Sequence, residues 1–210
     1  LFKYLSKEEE IRKAQEEKTA MELKFLKSQI NPHVLFNNLN TVYAYAIEKP
    51  EETPDLILKL SENLKHVLYE SNADFIPLEK ELNYIDNYIA FQEIRTEGIK
   101  KVHYHKSINS FQYSIAPLLL ITLIENAFKH ISNHNEAKNN IISISIVERN
   151  NLLKLIVNNS KDSFHHKAKS GGIGLKNVRK RLNLLYKDKY DLNIKSTEDT
   201  HEVELIMHLN

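Results

Sequence analysis

No cysteine occurs among the 210 residues, which excludes disulfides and thiolate metal sites and suits a reducing compartment such as the cytoplasm. Nowhere does an apolar run approach the roughly 20 residues needed to span a bilayer, and no signal peptide opens the chain. Neither sign of charge dominates: Lys+Arg 29 against Asp+Glu 28 leaves a net +1. That balance offers no basic surface for nucleic acid and no acidic tail, so no direct nucleic-acid partner is expected. Glycine is scarce, with 4 in all, and three of them stand at positions 171, 172 and 174. The length is enough for one large or two small domains with real cores, and two is our reading. The chain opens at Leu1 rather than Met and is read as a fragment of a longer protein.

The stretch Leu26 to Asn40, LKSQINPHVLFNNLN, stands out because a histidine follows a proline in an otherwise helical pattern. Proline within a helix removes a backbone donor and bends the axis, so a kink is expected beside His33. After Pro32 the apolar face is carried by Leu35, Leu39, Val42 and Ala46, flanked by Phe36, Tyr43 and Ile47. Gln29, His33, Asn37 and Asn40 form a polar stripe, so His33 should face outward from a helix buried on its other side. A solvated histidine beside a kink is the plain alternative.

Residues 1 to 30 are charged and helix-favouring, with Ile11, Ala14, Met21 and Phe25 at helical spacings, and read as a helical lead-in, either a coiled coil or a solvated charged helix. Thr53-Pro54 predicts a second helix, Thr as N-cap and Pro in the first turn, with Ile57, Leu60, Leu64, Val67 and Leu68 inward. Two such helices form a hairpin that buries too little alone, so a homodimeric four-helix bundle is expected. SNADFI, Ser71 to Ile76, marks the boundary, giving domains 1–72 and 73–210. Pro77 opens a third helix with Leu78, Leu82, Ile85 and Ile89 inward, ending near Gly98. Val102 to Lys106 alternates as a strand; His103 and His105 share its other face and could bind a metal, though no third ligand is near.

From Pro117, PLLLITLIENAFKHI is apolar nearly all round and predicts a buried helix. Thr122, Glu125, Asn126, Lys129 and His130 break the pattern on a single face. Isolated buried charges are too costly to keep, so this stripe must meet solvent, an internal partner or a ligand. Ile141 to Val147 and Leu152 to Val157 predict a hairpin turning at Arg149 to Asn151, followed by a polar, lid-like loop, Asn158 to Ser170. GGIGLKNVRKRLNLLY places the glycine cluster before an amphipathic helix carrying Val178, Leu182 and Leu185, which suits close approach of a phosphate to free backbone N–H groups. A glycine-rich turn merely entering a helix is the alternative; neither a P-loop nor a strand-borne G-x-G-x-x-G is present. Strands near Asp191 to Ser196 and His201 to Leu209 finish a sheet.

QINPHVLFNNLN, ENAFKH and GGIGLKNVRKRL, in that order, resemble the sensor histidine kinases of the LytS/YehU type, from about residue 20 to the end of the chain. The resemblance implies a phosphoacceptor hairpin in a dimeric bundle, followed by a Bergerat (GHKL) α/β sandwich that binds ATP and Mg²⁺. It implies His33 as the phosphorylated histidine, Asn126 as the Mg²⁺ ligand, and Glu125 as the catalytic residue oriented around it. Lys129 and His130 match groups near the phosphates, Asn159 the position that reads the adenine amino group, and Gly172, Gly174 and Leu175 the second glycine box. Residues 160–170 match the ATP lid. A response regulator's receiver domain is the implied partner, and a membrane-anchored bacterial sensor region is expected ahead of this cytoplasmic part. Three departures stand out: Val34 in place of phenylalanine, Asn159-Ser160-Lys161 in place of Asp-Asn-Gly, and no acidic residue beside His33. They motivate a second reading, a dimeric signalling scaffold with a degenerate ATP site; a third is an ATPase using water as acceptor.

Overall fold

The computed structural model describes residues 9, 12, 32–69, 73–96, 99–131, 140–161 and 173–210. It divides into two compact units, Leu1–Ile57 and Leu58–Asn210.

The first unit holds helix α1, Pro32–Glu48, and the first turn of α2, Thr53–Tyr69. The lead-in and the bend expected at Pro32 lie outside the described residues, apart from Glu9 and Arg12, which are helical. The connection between the helices is tight, with Glu52 N–H donating to the Lys49 carbonyl. Thr53 does not cap as expected. Its hydroxyl donates back to the Lys49 carbonyl at 3.1 Å, and the first helical bond runs from Leu56 N–H to the Glu52 carbonyl. Pro54 still sits in the first turn, where its missing N–H costs nothing. Of the expected inward stripe of α2, Leu60 is buried and Leu64 half-buried, but Ile57 is exposed and Leu56 and Asn63 are buried beside it. On α1 the expected apolar face is open in the single chain, with Leu39, Tyr43, Ala46 and Ile47 exposed and Val42 half-buried.

The second unit is a mixed sheet with helices packed on one face. Helix α3, Leu78–Arg95, follows a two-residue strand β1, Ile76–Pro77, and ends three residues before Gly98. The five-stranded sheet comprises β2 (Lys101–Ile108), β4 (Ile141–Arg149), β5 (Leu152–Ser160), β7 (Thr200–His208) and β6 (Tyr190–Ser196), in that spatial order. Among the described strands only β2 and β4 pair in parallel, and such a pair requires a crossover. That crossover carries the short strand β3 (Ser114–Ile115), which pairs with β1, and helix α4 (Leu119–His130). The β1·β3 ribbon has no period to announce it in the sequence. Helix α5, Ile173–Leu185, precedes β6.

Strict alternation decides which face of the sheet is dry. Ile142, Ile144 and Ile146, then Leu153, Leu155 and Val157, then Val203, Leu205 and Met207 all point into one core with α3, α4 and α5. Each such side chain taken fully out of water stabilises by about 1.5–3 kcal/mol. The β4–β5 hairpin turns through Asn150 and Asn151 at φ 51° and 62°, a two-residue turn whose left-handed residues match strand twist, and asparagine tolerates that region best after glycine. Among the described residues no helix is long and apolar enough to cross a membrane.

Candidate functional site

Helix α4 runs through the centre of the second unit. Leu119, Leu120, Ile121, Leu123, Ile124, Ala127 and Phe128 are buried, and what is left over is the predicted polar stripe. Thr122 and Asn126 are half-buried, while Glu125, Lys129 and His130 reach solvent. The stripe therefore forms as expected on one side of an otherwise dry helix.

Helix α5 begins beside it. A Cβ placed on Gly174 would stand 3.5 Å from Asn126 Nδ2 and 3.5 Å from Thr122 Cγ2, so the first turn of α5 lies against this part of the stripe. Gly174 is inside the helix rather than in a turn before it, which corrects the expectation for this glycine. The amides of a helix's first turn have no intrahelical carbonyl to bond. Gly174 and the half-buried Leu175 thus bring backbone donors, and the positive end of a helix dipole, next to the Asn126 amide. Gly172 and residues 162–170 of the expected lid lie outside the described residues.

At the far end of the stripe Asn159, on β5, is 1% exposed. Its Nδ2 donates to the Ser160 carbonyl at 2.9 Å and the His130 carbonyl at 3.4 Å, and facing two acceptors fixes which way the amide points. Its Oδ1 is left buried with no partner among the described residues. An unmade buried acceptor costs about 1–3 kcal/mol, which a ligand's N–H would offset.

Electrostatics sharpen the site. Glu125 reaches solvent by surface area but is crowded on its protein side; that crowding, with Glu81's charge second, pushes its carboxyl up to about 7. Burial and then Lys129's charge hold His130 below the usual imidazole value. His201, opposite Asn159 in the β5–β7 register, is lowered by burial, Lys161 and His130 in turn. Near pH 7 both imidazoles are neutral and can accept or donate.

His33 belongs to α1, in the other compact unit, and its side chain lies outside what is described. The sequence reading also missed Glu81, His66 and His201. Glu81 carried a signal: it stands at i+3 from Leu78 and i−4 from Ile85, on the inward stripe of α3. Among the described residues no group of three or more potential ligands could hold a metal by itself, so His103 and His105 remain a pair.

The profile of the histidine kinase family matches residues 21–99. The sensor protein LytS of Staphylococcus haemolyticus is 31% identical over 189 residues, covering 84% of this chain and 32% of that protein. The chain belongs to the histidine kinase family. LytS of Bacillus subtilis is 37% identical over 109 residues, 52% of this chain and 18% of its own length. The sensor protein kinase HptS of Staphylococcus aureus is 34% identical over 110 residues, 52% of this chain and 21% of its own. This histidine kinase chain thus spans about a third or less of the relatives it matches. Among solved structures, histidine kinase AdeS of Acinetobacter baumannii aligns over 92% of this chain and 98% of its own at 12% identity and a TM-score of 0.44.

Proposed function

We propose that this chain is the ATP-dependent autophosphorylating region of a two-component sensor kinase, with His33 as phosphoacceptor and a response-regulator aspartate as the next recipient. The single observation that carries the reading is the convergence on α4. Helix-start amides at Gly174 and Leu175 flank Asn126 at one end, and the orphaned Oδ1 of Asn159 waits at the other. Donors for phosphate at one end and an acceptor for an exocyclic amine at the other suit a Bergerat-type nucleotide site. Lys129 and His130 lie between, where their side chains can meet the phosphates.

The donor set also fits Mg²⁺. Asn126 Oδ1 is a hard oxygen ligand, and Mg²⁺ takes few protein ligands beside substrate phosphates and water. When bound, the ion would neutralise charge developing on the transferred phosphoryl group. In the reaction itself a ring nitrogen of His33 forms the N–P bond as the bond from the γ-phosphorus to the ADP oxygen breaks, and ADP leaves. The imidazole proton passes to Glu125, whose carboxyl is poised near 7 for such an exchange. The functional division is at 72/73, with the phosphoacceptor hairpin before it. A membrane-anchored sensor region preceding a cytoplasmic kinase part completes the proposal.

Incubation with γ-labelled ATP and Mg²⁺ should label the wild type with an acid-labile, alkali-stable phosphoryl group and leave His33→Ala blank. Equal labelling of the two would remove His33 from the role. Asn159, with no carboxylate's charge, favours the second reading, a scaffold with a degenerate site; tight ATP binding with turnover excludes it.

A further inference from the structure

Helix α4 has an unusual beginning. Leu118, its N-cap, adopts φ 58°, a left-handed conformation in which its Cβ is crowded, and no side chain of its own turn caps the helix. The cap comes from another helix. Glu81 of α3, 0% exposed, accepts from the Leu118 N–H at 2.8 Å and the Leu120 N–H at 3.1 Å. A buried carboxylate needs more than two amides, and two further side chains, Arg181 and His66, lie near it. Arg181 of α5, which donates to the Pro117 carbonyl at 2.7 Å, feels its charge. His66 of α2 brings Nε2 to 3.7 Å from Glu81 Oε2.

His66 is itself buried, stacked on Tyr84 with ring centroids 4.5 Å apart and planes 6° from parallel. Its Nε2 has no hydrogen-bond partner among the described residues. Glu81 Oε2, at 3.7 Å, stands just past hydrogen-bonding range, so a shift of a few tenths of an ångström closes or opens the contact. A second tie lies one turn back, where Asn87 Nδ2 donates to Glu62 Oε2 at 2.8 Å. The compact second unit accordingly starts at Leu58, inside α2.

We propose that His66 is a positioning residue that couples the C-terminal half of α2 to the start of α4 through Glu81, so that displacement of α2 adjusts the helix carrying Glu125 and Asn126. The coupling rests on the kinase reading for its purpose but not for its existence. A rigid helix anchored at its first amides carries any movement there to its polar stripe, two turns on.

Two variants separate this role from packing. His66→Phe keeps a ring on Tyr84 and removes the nitrogen; His66→Gln loses the ring and keeps a nitrogen donor. In the full chain, His66→Phe should exchange the Leu118 and Leu120 amide hydrogens about tenfold faster than wild type. It should lower the autophosphorylation kcat about tenfold with the KM for ATP within twofold. His66→Gln should stay within threefold of wild type on both measures. Wild-type behaviour from His66→Phe, or loss of both properties in His66→Gln, overturns the proposal. Should the wild type carry no label at all, the kinase reading falls, and the exchange rates alone still decide the coupling.

Discussion

Glu125 concentrates the tension at this site, because a carboxylate on the open face of a buried helix has protein on one side and water on the other. Its folded pKa, about 7, lies above the unfolded value of 4.5, so the folded state holds the proton more tightly. The stability this confers is fully present below pH 4.5 and is lost as pH rises towards 7. Glu125→Gln should therefore show a flatter fall in urea midpoint between pH 5 and pH 8 than the wild type. Parallel curves would mean that the carboxyl is not crowded. If Glu125 also takes the His33 proton, wild-type labelling should rise with pH through the same range while the glutamine variant stays low throughout. Asn159 illustrates the opposite case. Its place was legible only through the family resemblance, because a buried asparagine near the end of a strand looks like any turn-forming residue until its bonds to the His130 and Ser160 carbonyls are seen.

At the scale of elements, strand and helix identities were legible wherever period and burial agree. Ile142, Ile144 and Ile146 alternate and are buried; Val178 and Leu182 stand four apart and are buried. The sequence misled where a polar residue is satisfied from far along the chain. Glu81 stands on the inward stripe of α3, but no local spacing tells that its acceptors serve amides 37 and 39 residues later. Glu148 is the same device on the sheet. It looks like the charged end of β4 but is 0% exposed, accepting from Asn109 N–H at 3.0 Å, Ser110 N–H at 2.9 Å and Asn151 N–H at 3.0 Å. One carboxylate thereby fastens the turn after β2 to the β4–β5 turn. Hydrogen bonds to a charged acceptor contribute about 1.5–3 kcal/mol each, and an abandoned donor costs a further penalty unless water reaches it. These turns border solvent, so Glu148→Ala should lose about 3 kcal/mol, seen as a lower denaturant midpoint at unchanged m-value. A shift under 1 kcal/mol would show that water replaces the carboxylate without loss.

For the molecule as a whole, α1 poses the open question of partnership. Leu39, Tyr43 and Ile47 follow one another at i, i+4 and i+8 and are 47%, 69% and 65% exposed. Ala46, Pro50, Pro54 and Ile57 line an apolar recess in the same unit. A continuous stripe of this kind on a helix is a seam without its other half, and a net charge of +1 puts no long-range repulsion between two copies. Partly burying three such residues on each of two protomers contributes on the order of 10 kcal/mol, against an association cost of about 4–15 kcal/mol. The balance is close enough that two substitutions decide it. The wild type should sediment at twice 24.5 kDa in the tens of micromolar, whereas Tyr43→Asp with Ile47→Asp should sediment at 24.5 kDa. Because the sheet and its helices form a separate compact unit, the double variant should keep the wild-type nucleotide affinity. A wild type that remains monomeric at those concentrations would show that the stripe is covered by something other than a second copy, and the four-helix bundle would have to be abandoned.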